Sequence, residues 1–272
     1  MNSNMNRIKQ RMSALKEANK KALVTYIVSG DPTPDATLDA MHALVSNGAD
    51  IIELGIPFSD PMAEGKVIQL GHERALVHNV SLTSTMAMVK QFREKDNDTP
   101  VVLMGYANPI ERMGYGVFAK RAADAGVDGV LTVDMPPEEA TLLNLDLKRV
   151  GIENIFLLAP TTTIQRIREI VSIASGFVYY VSLKGVTGAG NLDLASVKNK
   201  LAIIRKHTDL PICVGFGIKD GASAKSVAEY ADGAVVGSVF VDKMGLLKNQ
   251  PNAVVASAVG QLVAEIRQGL DT

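Results

Sequence analysis

The chain has 272 residues, with 28 Lys and Arg against 29 Asp and Glu, a formal net charge of −1, one cysteine and no tryptophan. This balance leaves no global basic field for nucleic acid or an anionic membrane. The lone Cys213 excludes an internal disulfide framework and a cysteine-based zinc site. The opening segment MNSNMNRIKQRMSALKEANKK has no apolar signal core, and no run approaches the ~20 apolar residues of a membrane span, so a soluble, cytoplasmic protein is expected.

Length alone is ambiguous. At ~150 residues per domain it suggests nearly two domains, whereas α/β barrels of ~250 residues form one. Eight short apolar runs read as strands: Ala22–Ser29, Ile51–Gly55, Val101–Gly105, Gly129–Val133, Ile155–Ala159, Val178–Ser182, Ile212–Gly215 and Ala234–Gly237. Most are continuous rather than alternating, as in a parallel sheet buried on both faces.

Amphipathic stretches separate them: Asp35–Ser46, Ser81–Lys95, Tyr115–Ala125, Glu138–Val150, Ile164–Ala174, Leu194–His207 and Ser223–Tyr230, with Ala253–Arg267 last. Leu38, Met41, His42 and Val45 have the spacing of one buried helical face. The turns NGAD, DAGVD and ADGA place Gly or Asn where helices end before strands two, four and eight. A further helix near Asn4–Asn19 precedes the first strand. Eight strand–helix units in sequence predict an α/β fold, a (β/α)8 TIM barrel with an extra N-terminal helix. It forms a single domain over residues 1–272, about 1–20 being the helix and about 21–270 the barrel. A doubly wound sheet is the alternative, but SGDPTPD after the first strand lacks the Gly-rich dinucleotide turn.

Several motifs carry little. His72, Glu73 and His78 in GHERALVH miss the H-E-x-x-H spacing, so a polar helix surface is expected and no metal site. The sequons at Asn79 and Asn97 read as a helix cap and a turn. Cys213, inside an apolar strand, reads as packing.

In a barrel, ligands bind at the C-terminal ends of the strands. Three clusters fall there. Val214-Gly215-Phe216-Gly217-Ile218 and Val236-Gly237-Ser238-Val239 follow the last two strands, where backbone donors commonly cradle phosphate. The loop Leu183–Gly190 carries three glycines and Thr187 and could close over a ligand. The third cluster is acidic. Glu53 interrupts the run IIELG, a costly place for a carboxylate without a partner or a role. Asp60 and Glu64 follow in IPFSDPMAEG, and Asp31 and Asp134 follow strands one and four. Asp50 enters strand two and belongs to the opposite face. Clustered carboxylates can acquire separated pKa values and divide acid from base roles. Tyr26, Met104, Tyr106, Leu131, Phe156, Tyr179 and Phe216 would wall a pocket for a flat aromatic ligand with a phosphate tail.

Taken in order, the strings resemble the tryptophan synthase α-subunit family. The most specific is Ile52-Glu53-Leu54-Gly55-Ile56-Pro57-Phe58-Ser59-Asp60-Pro61, continued by Met62-Ala63-Glu64-Gly65. Ser29-Gly30-Asp31-Pro32, Tyr106-Ala107-Asn108-Pro109, Asp134-Met135-Pro136, Gly185-Val186-Thr187-Gly188 and Gly215-Phe216-Gly217-Ile218 support it, and the likeness runs from about Lys21 to Ile266. The resemblance implies a carbon–carbon lyase that splits indole-3-glycerol phosphate into indole and glyceraldehyde 3-phosphate by a retro-aldol reaction. No metal or cofactor is implied in this chain.

By the same match, Glu53 and Glu64 are the catalytic acid/base pair, and Gly188, Gly217, Gly237 and Ser238 hold the phosphate. Tyr26, Met104, Leu131, Tyr179 and Phe216 form the indole pocket, and Thr187 lies on the closing loop. The implied partner is a pyridoxal-phosphate (PLP) β-subunit in an α2β2 assembly, contacted through Pro57, Asp60, Asn108 and Pro109. Many relatives carry Asp where this chain has Glu64 and Pro where it has Lys66, and Leu183-Lys184 replaces polar residues. Two other readings are an α-like protein that mainly activates a β-subunit and a different phosphate-binding barrel, such as a sugar-phosphate isomerase.

Overall fold

The computed structural model describes residues 6–181, 194–215 and 217–272. The first helix, α1 (Arg7–Glu17), starts where the Asn6 side chain accepts the Ile8 amide. The chain then alternates: β1 (Ala22–Val28), α2 (Pro34–Ser46), β2 (Ile51–Gly55), α3 (Lys66–Leu76), α4 (Leu82–Phe92), β3 (Val101–Gly105), α5 (Ala107–Met113), α6 (Tyr115–Ala125) and β4 (Gly129–Thr132). It continues with α7 (Thr141–Arg149), β5 (Glu153–Leu158), α8 (Ile164–Ile173), β6 (Val178–Val181), α9 (Leu194–Arg205), β7 (Ile212–Gly215), α10 (Gly221–Ala228), β8 (Gly233–Val236), α11 (Ser238–Leu246) and α12 (Asn252–Asp271).

The strands close in chain order into one parallel barrel, β8 pairing back to β1 through Ala22–Gly233 to Thr25–Val236. This is the expected barrel. Caps fix the helix starts. Thr33 accepts the Ala36 amide with Pro34 in the first helical turn, and Ser81–Ser84 and Asp220–Ser223 form reciprocal capping boxes. Gly126 ends α6 in the left-handed region at φ 86°.

Side chains alternate across each strand, so the strands feed an outer and an inner core, and Tyr26, Val28, Ala75 and Val241 form a smaller third cluster. Ile27, Leu54, Leu103, Val130 and Phe156 point outward into the larger core under the helices. Val24, Ile51, Val102, Leu131, Ile155, Phe177, Cys213 and Val235 point inward, with Ile8 and Met12 of α1 packed in the same cluster. The extra helix therefore contributes side chains to the barrel interior. Strand parity corrects one expectation: Phe156 is the outward neighbour of Ile155 and Leu157, and it does not wall the interior pocket.

Two helices were absent from the sequence reading, α5 and α11, while α3 was read only as a helix surface around His72 and Glu73, without its bounds. The helical face of α2 is also turned by one position. Ala40, Met41 and Leu44 are buried, Leu38 and Val45 are partly buried, and His42 stacks on Phe92 at 4.9 Å. Among the described residues no helix is long and apolar enough to cross a membrane.

Candidate active site

At the C-terminal end of the barrel the inward apolar set is interrupted. There Tyr26 of β1 lies beside Glu53 of β2 in register, and Glu53 beside Val102 of β3. A cavity of about 450 Å³ opens above them. Its walls include Tyr26, Glu53, Glu64, Met104, Tyr179, Gly217, Gly237 and Ser238. Eight residues proposed from sequence as catalytic or ligand-binding thus share one cavity. Leu131 does not line it; this side chain is buried in the inward cluster, next to Met104 in the strand register. Thr187, Gly188 and Phe216 lie outside the described residues.

Two glycines on the strand ends make room for side chains, a use the sequence reading assigned to neither. A Cβ on Gly55 would collide with Tyr26 Oη and lie 2.8 Å from its Cζ, and one on Gly215 would collide with Tyr179 Oη and lie 2.6 Å from its ring. Each therefore leaves room for a tyrosine from the preceding strand to lie inward. Gly217, at φ 46°, faces open space, and Gly237 ends at the N-terminus of α11, whose first turn begins at Ser238. First-turn amides lack intrahelical partners and suit an anion.

Glu53 is fully buried, and among the described residues neither carboxylate oxygen has a hydrogen-bond partner. Burial, reinforced by the charge of Glu64, pushes its pKa up to about 8. Glu64 sits at the cavity rim, and burial raises its carboxyl to about 7. Both acids are poised near neutrality, with Glu53 holding its proton more tightly. Burial also raises Tyr26 and Tyr179 well above the ordinary phenol range, helped by the two glutamates, so both hydroxyls stay protonated.

The segment between β2 and α3 is tied down at two points. Tyr106 Oη accepts the Ala63 amide at 3.1 Å, one residue before Glu64, and its ring stacks on Phe58 at 4.9 Å. His72 Nδ1 accepts the Phe58 amide at 3.0 Å. Glu64 Oε atoms stay free of this scaffold, while the Glu64 carbonyl accepts the Gln69 amide. Lys66 opens α3 in an exposed position and lines the cavity.

The remaining acids separate from this pair. Asp31 is fully buried and held in a two-point ion pair by Arg74 Nε at 2.7 Å and Nη2 at 2.9 Å. Asp134 accepts the Ala107 amide at the start of α5 and belongs to a separate cleft with Arg166. Asp60 is exposed and bonded to Ser59 Oγ at 2.6 Å. Of the residues expected to meet a partner, Asp60 and Asn108 are exposed, Pro109 is half-buried and Pro57 is buried. His72 is the participant the sequence reading missed: it is 2% exposed and not a polar helix surface. Among the described residues no group of His, Cys, Asp and Glu could hold a metal ion.

A closed parallel barrel that gathers two carboxylates of raised pKa, apolar aromatic walls and a helix N-terminus in one cavity defines a (β/α)8 barrel with a candidate acid–base site at the C-terminal ends of its strands. Comparison with known proteins narrows this. The family model described as tryptophan synthase alpha chain matches residues 12–269. A tryptophan synthase alpha chain from Thioalkalivibrio sulfidiphilus is 57% identical over 98% of this chain and 100% of its own length. The crystal structure of tryptophan synthase subunit alpha from Legionella pneumophila superposes with a TM-score of 0.91 at 44% identity, covering 98% of this chain and 99% of that one. A tryptophan synthase structure from M. tuberculosis gives 0.83 at 32% identity, covering 95% and 98%. The chain belongs to the tryptophan synthase alpha chain family.

Proposed function

We propose that this chain is a carbon–carbon lyase that cleaves indole-3-glycerol phosphate to indole and glyceraldehyde 3-phosphate. The observation that carries the reading is Glu53, buried, unpartnered and titrating near 8, in one apolar cavity with Glu64 near 7. At neutral pH Glu53 is mostly protonated and is a general acid, while a large share of Glu64 is ionised and is a base.

Glu53 delivers its proton to the indole ring carbon that bears the side chain, as Glu64 takes the proton from the ring nitrogen. The ring is then an electron sink. The resulting Glu53 carboxylate removes the proton of the side-chain hydroxyl. The electron pair of that O–H bond becomes the aldehyde C=O, the carbon–carbon bond breaks, and its electrons return to the ring. Glu64 returns its proton to the nitrogen, leaving neutral indole and an aldehyde. The balance needs no oxidant and no cofactor in this chain.

Tyr26, Met104 and Tyr179 enclose the ring, while Gly217, Gly237 and Ser238 with the α11 N-terminus hold the phosphate. Fixing the tail holds the head between the two carboxylates. In this reading residues 1–272 act as one unit in the cytoplasm. The partner is a β-subunit carrying the pyridoxal phosphate, in an α2β2 complex, with Asp60 and Asn108 on the facing surface.

The test is an indole-release assay on indole-3-glycerol phosphate, with and without a β-subunit. Indole formation that rises when the β-subunit is added supports the assignment. Activation of the β-subunit without cleavage would move the chain to a binding role, and turnover of a sugar phosphate instead of indole release would make it an isomerase.

A further inference from the structure

His72 stands on α3 two turns after Glu64, yet its ring lies between the β2–α3 segment and the barrel wall. On one side its Nδ1 accepts the backbone N–H of Phe58 at 3.0 Å. On the other, its Nε2 is 3.3 Å from Tyr26 Oη. An imidazole nitrogen that accepts a backbone N–H carries no proton, so the proton of the neutral ring is on Nε2. Nε2–H therefore donates to Tyr26 Oη. The surroundings agree with a neutral ring, since burial lowers the His72 pKa to about 4.

The consequence falls on Tyr26. Its oxygen is occupied as an acceptor, and its own O–H proton must turn away from His72. Tyr26 lines the substrate cavity beside Glu53, whose two oxygens are unpartnered. We infer that His72 is a positioning residue for the proposed cleavage: through its fixed tautomer it makes Tyr26 a hydrogen-bond donor into the catalytic cavity and pins the segment that carries Glu64. The same ring lines a smaller surface cleft with Phe58, Asp60 and Met62, so it bridges that exposed segment and the interior site. This inference rests on the lyase reading for its kinetic consequence, while the tautomer itself does not.

Two experiments test it. The first follows the ring nitrogens of 15N-labelled full-length wild-type protein by long-range 1H–15N correlation between pH 6 and pH 9. A neutral ring with the proton on Nε2 throughout is expected; an imidazolium or the proton on Nδ1 overturns the proposal.

The second is kinetic. His72→Phe removes both bonds and keeps a flat ring. It should lower kcat about tenfold, the size expected for a buried hydrogen bond left unmade, with KM moving less than about threefold. His72→Gln offers an acceptor and a donor in sequence and should recover most of the loss. Tyr26→Phe made on top of His72→Phe should cost little more, because both changes remove the same donor arrangement. Independent, multiplying losses would assign His72 a merely structural role and overturn the proposal, as would a folded His72→Phe variant with kcat within about twofold of wild type. Should His72→Phe fail to fold, the tautomer measurement decides the question together with Tyr26→Phe alone, which should lower kcat about tenfold with little change in KM; an unchanged kcat in that variant would overturn the proposal. Absence of indole release by the wild type would sink the lyase reading alone, and the nitrogen spectra would still decide the tautomer.

Discussion

The two ends of the barrel both bury carboxylates, and they treat them in opposite ways. At the N-terminal end Asp50 accepts the Leu23 amide at 2.8 Å and pairs with Arg267 at 3.0 Å. Asp128 accepts the Val101 amide at 2.9 Å and pairs with Arg93 at 2.7 Å and Arg7 at 3.0 Å. Glu153 meets Lys9 at 2.9 Å. At the C-terminal end Glu53 is just as buried and has no hydrogen-bond partner among the described residues. Partnered acids of this kind join the first helix and the loops to the strand starts. An unpartnered one holds a proton it can release. Burial by itself therefore identifies neither role; the partner set does. Asp31 shows this from the active end, where Arg74 makes it a structural residue although it was grouped with the candidate acids.

The strongest way to break the comparison is to exchange each kind of acid for its neutral counterpart. Glu53→Gln should lower the indole-release rate by ~10²–10⁴, the usual share of a general acid–base group, with phosphate-ligand binding kept. Near-normal turnover would remove Glu53 from the chemistry. Asp128→Ala should do the reverse. It strips both arginines of their buried partner and should cost ~3–5 kcal/mol of unfolding free energy, read from the denaturant midpoint. Its kcat, measured where the protein is folded, should remain within about twofold.

A subtler exchange uses pH. The folded-state pKa of Glu53, about 8, lies above the ordinary 4.5, so the folded protein binds this proton more tightly than the unfolded chain. Its stabilising contribution is complete below pH 4.5 and is lost as pH rises towards 8. Wild type should therefore lose about 3 kcal/mol relative to Glu53→Gln between pH 4.5 and pH 7. Parallel stability–pH curves for the two proteins would show that Glu53 is solvated or paired in solution.

Much of the barrel was legible because its strands are continuous apolar runs and its helix ends carry Gly and Asn. The omissions have physical causes. The sequence of α11, SVFVDKMGL, is apolar on most sides and shows little helical period, while α5 is seven residues long with Pro109 near its start. Glu53 was legible because a charge inside an apolar strand is costly, and Asp50 because it enters that strand from the other end. Phe156 and Leu131 were misplaced because an apolar run conceals which residues face inward and how deep they lie. His72 was hidden more thoroughly. Its meaning depends on the β2–α3 segment folding back so that the Phe58 amide meets a helix two turns further on, and no local spacing encodes that.

The smallest change probes how the active end makes room for its aromatic wall. Gly215 is the last residue of β7, and a methyl group there would collide with Tyr179 Oη and approach the ring to 2.6 Å. Tyr179 lies on β6 opposite Cys213, with buried neighbours beneath, so the ring has to tilt into the cavity. Overpacking of this kind costs ~1–3 kcal/mol, a modest loss beside Asp128→Ala. Its effect should appear mainly in binding. Gly215→Ala should raise KM for indole-3-glycerol phosphate more than it lowers kcat, because a tilted ring narrows the space for the indole while Glu53 and Glu64 stay in place. Unchanged KM in a folded Gly215→Ala protein would mean that Tyr179 yields away from the cavity. Gly215 would then serve the barrel rather than the site.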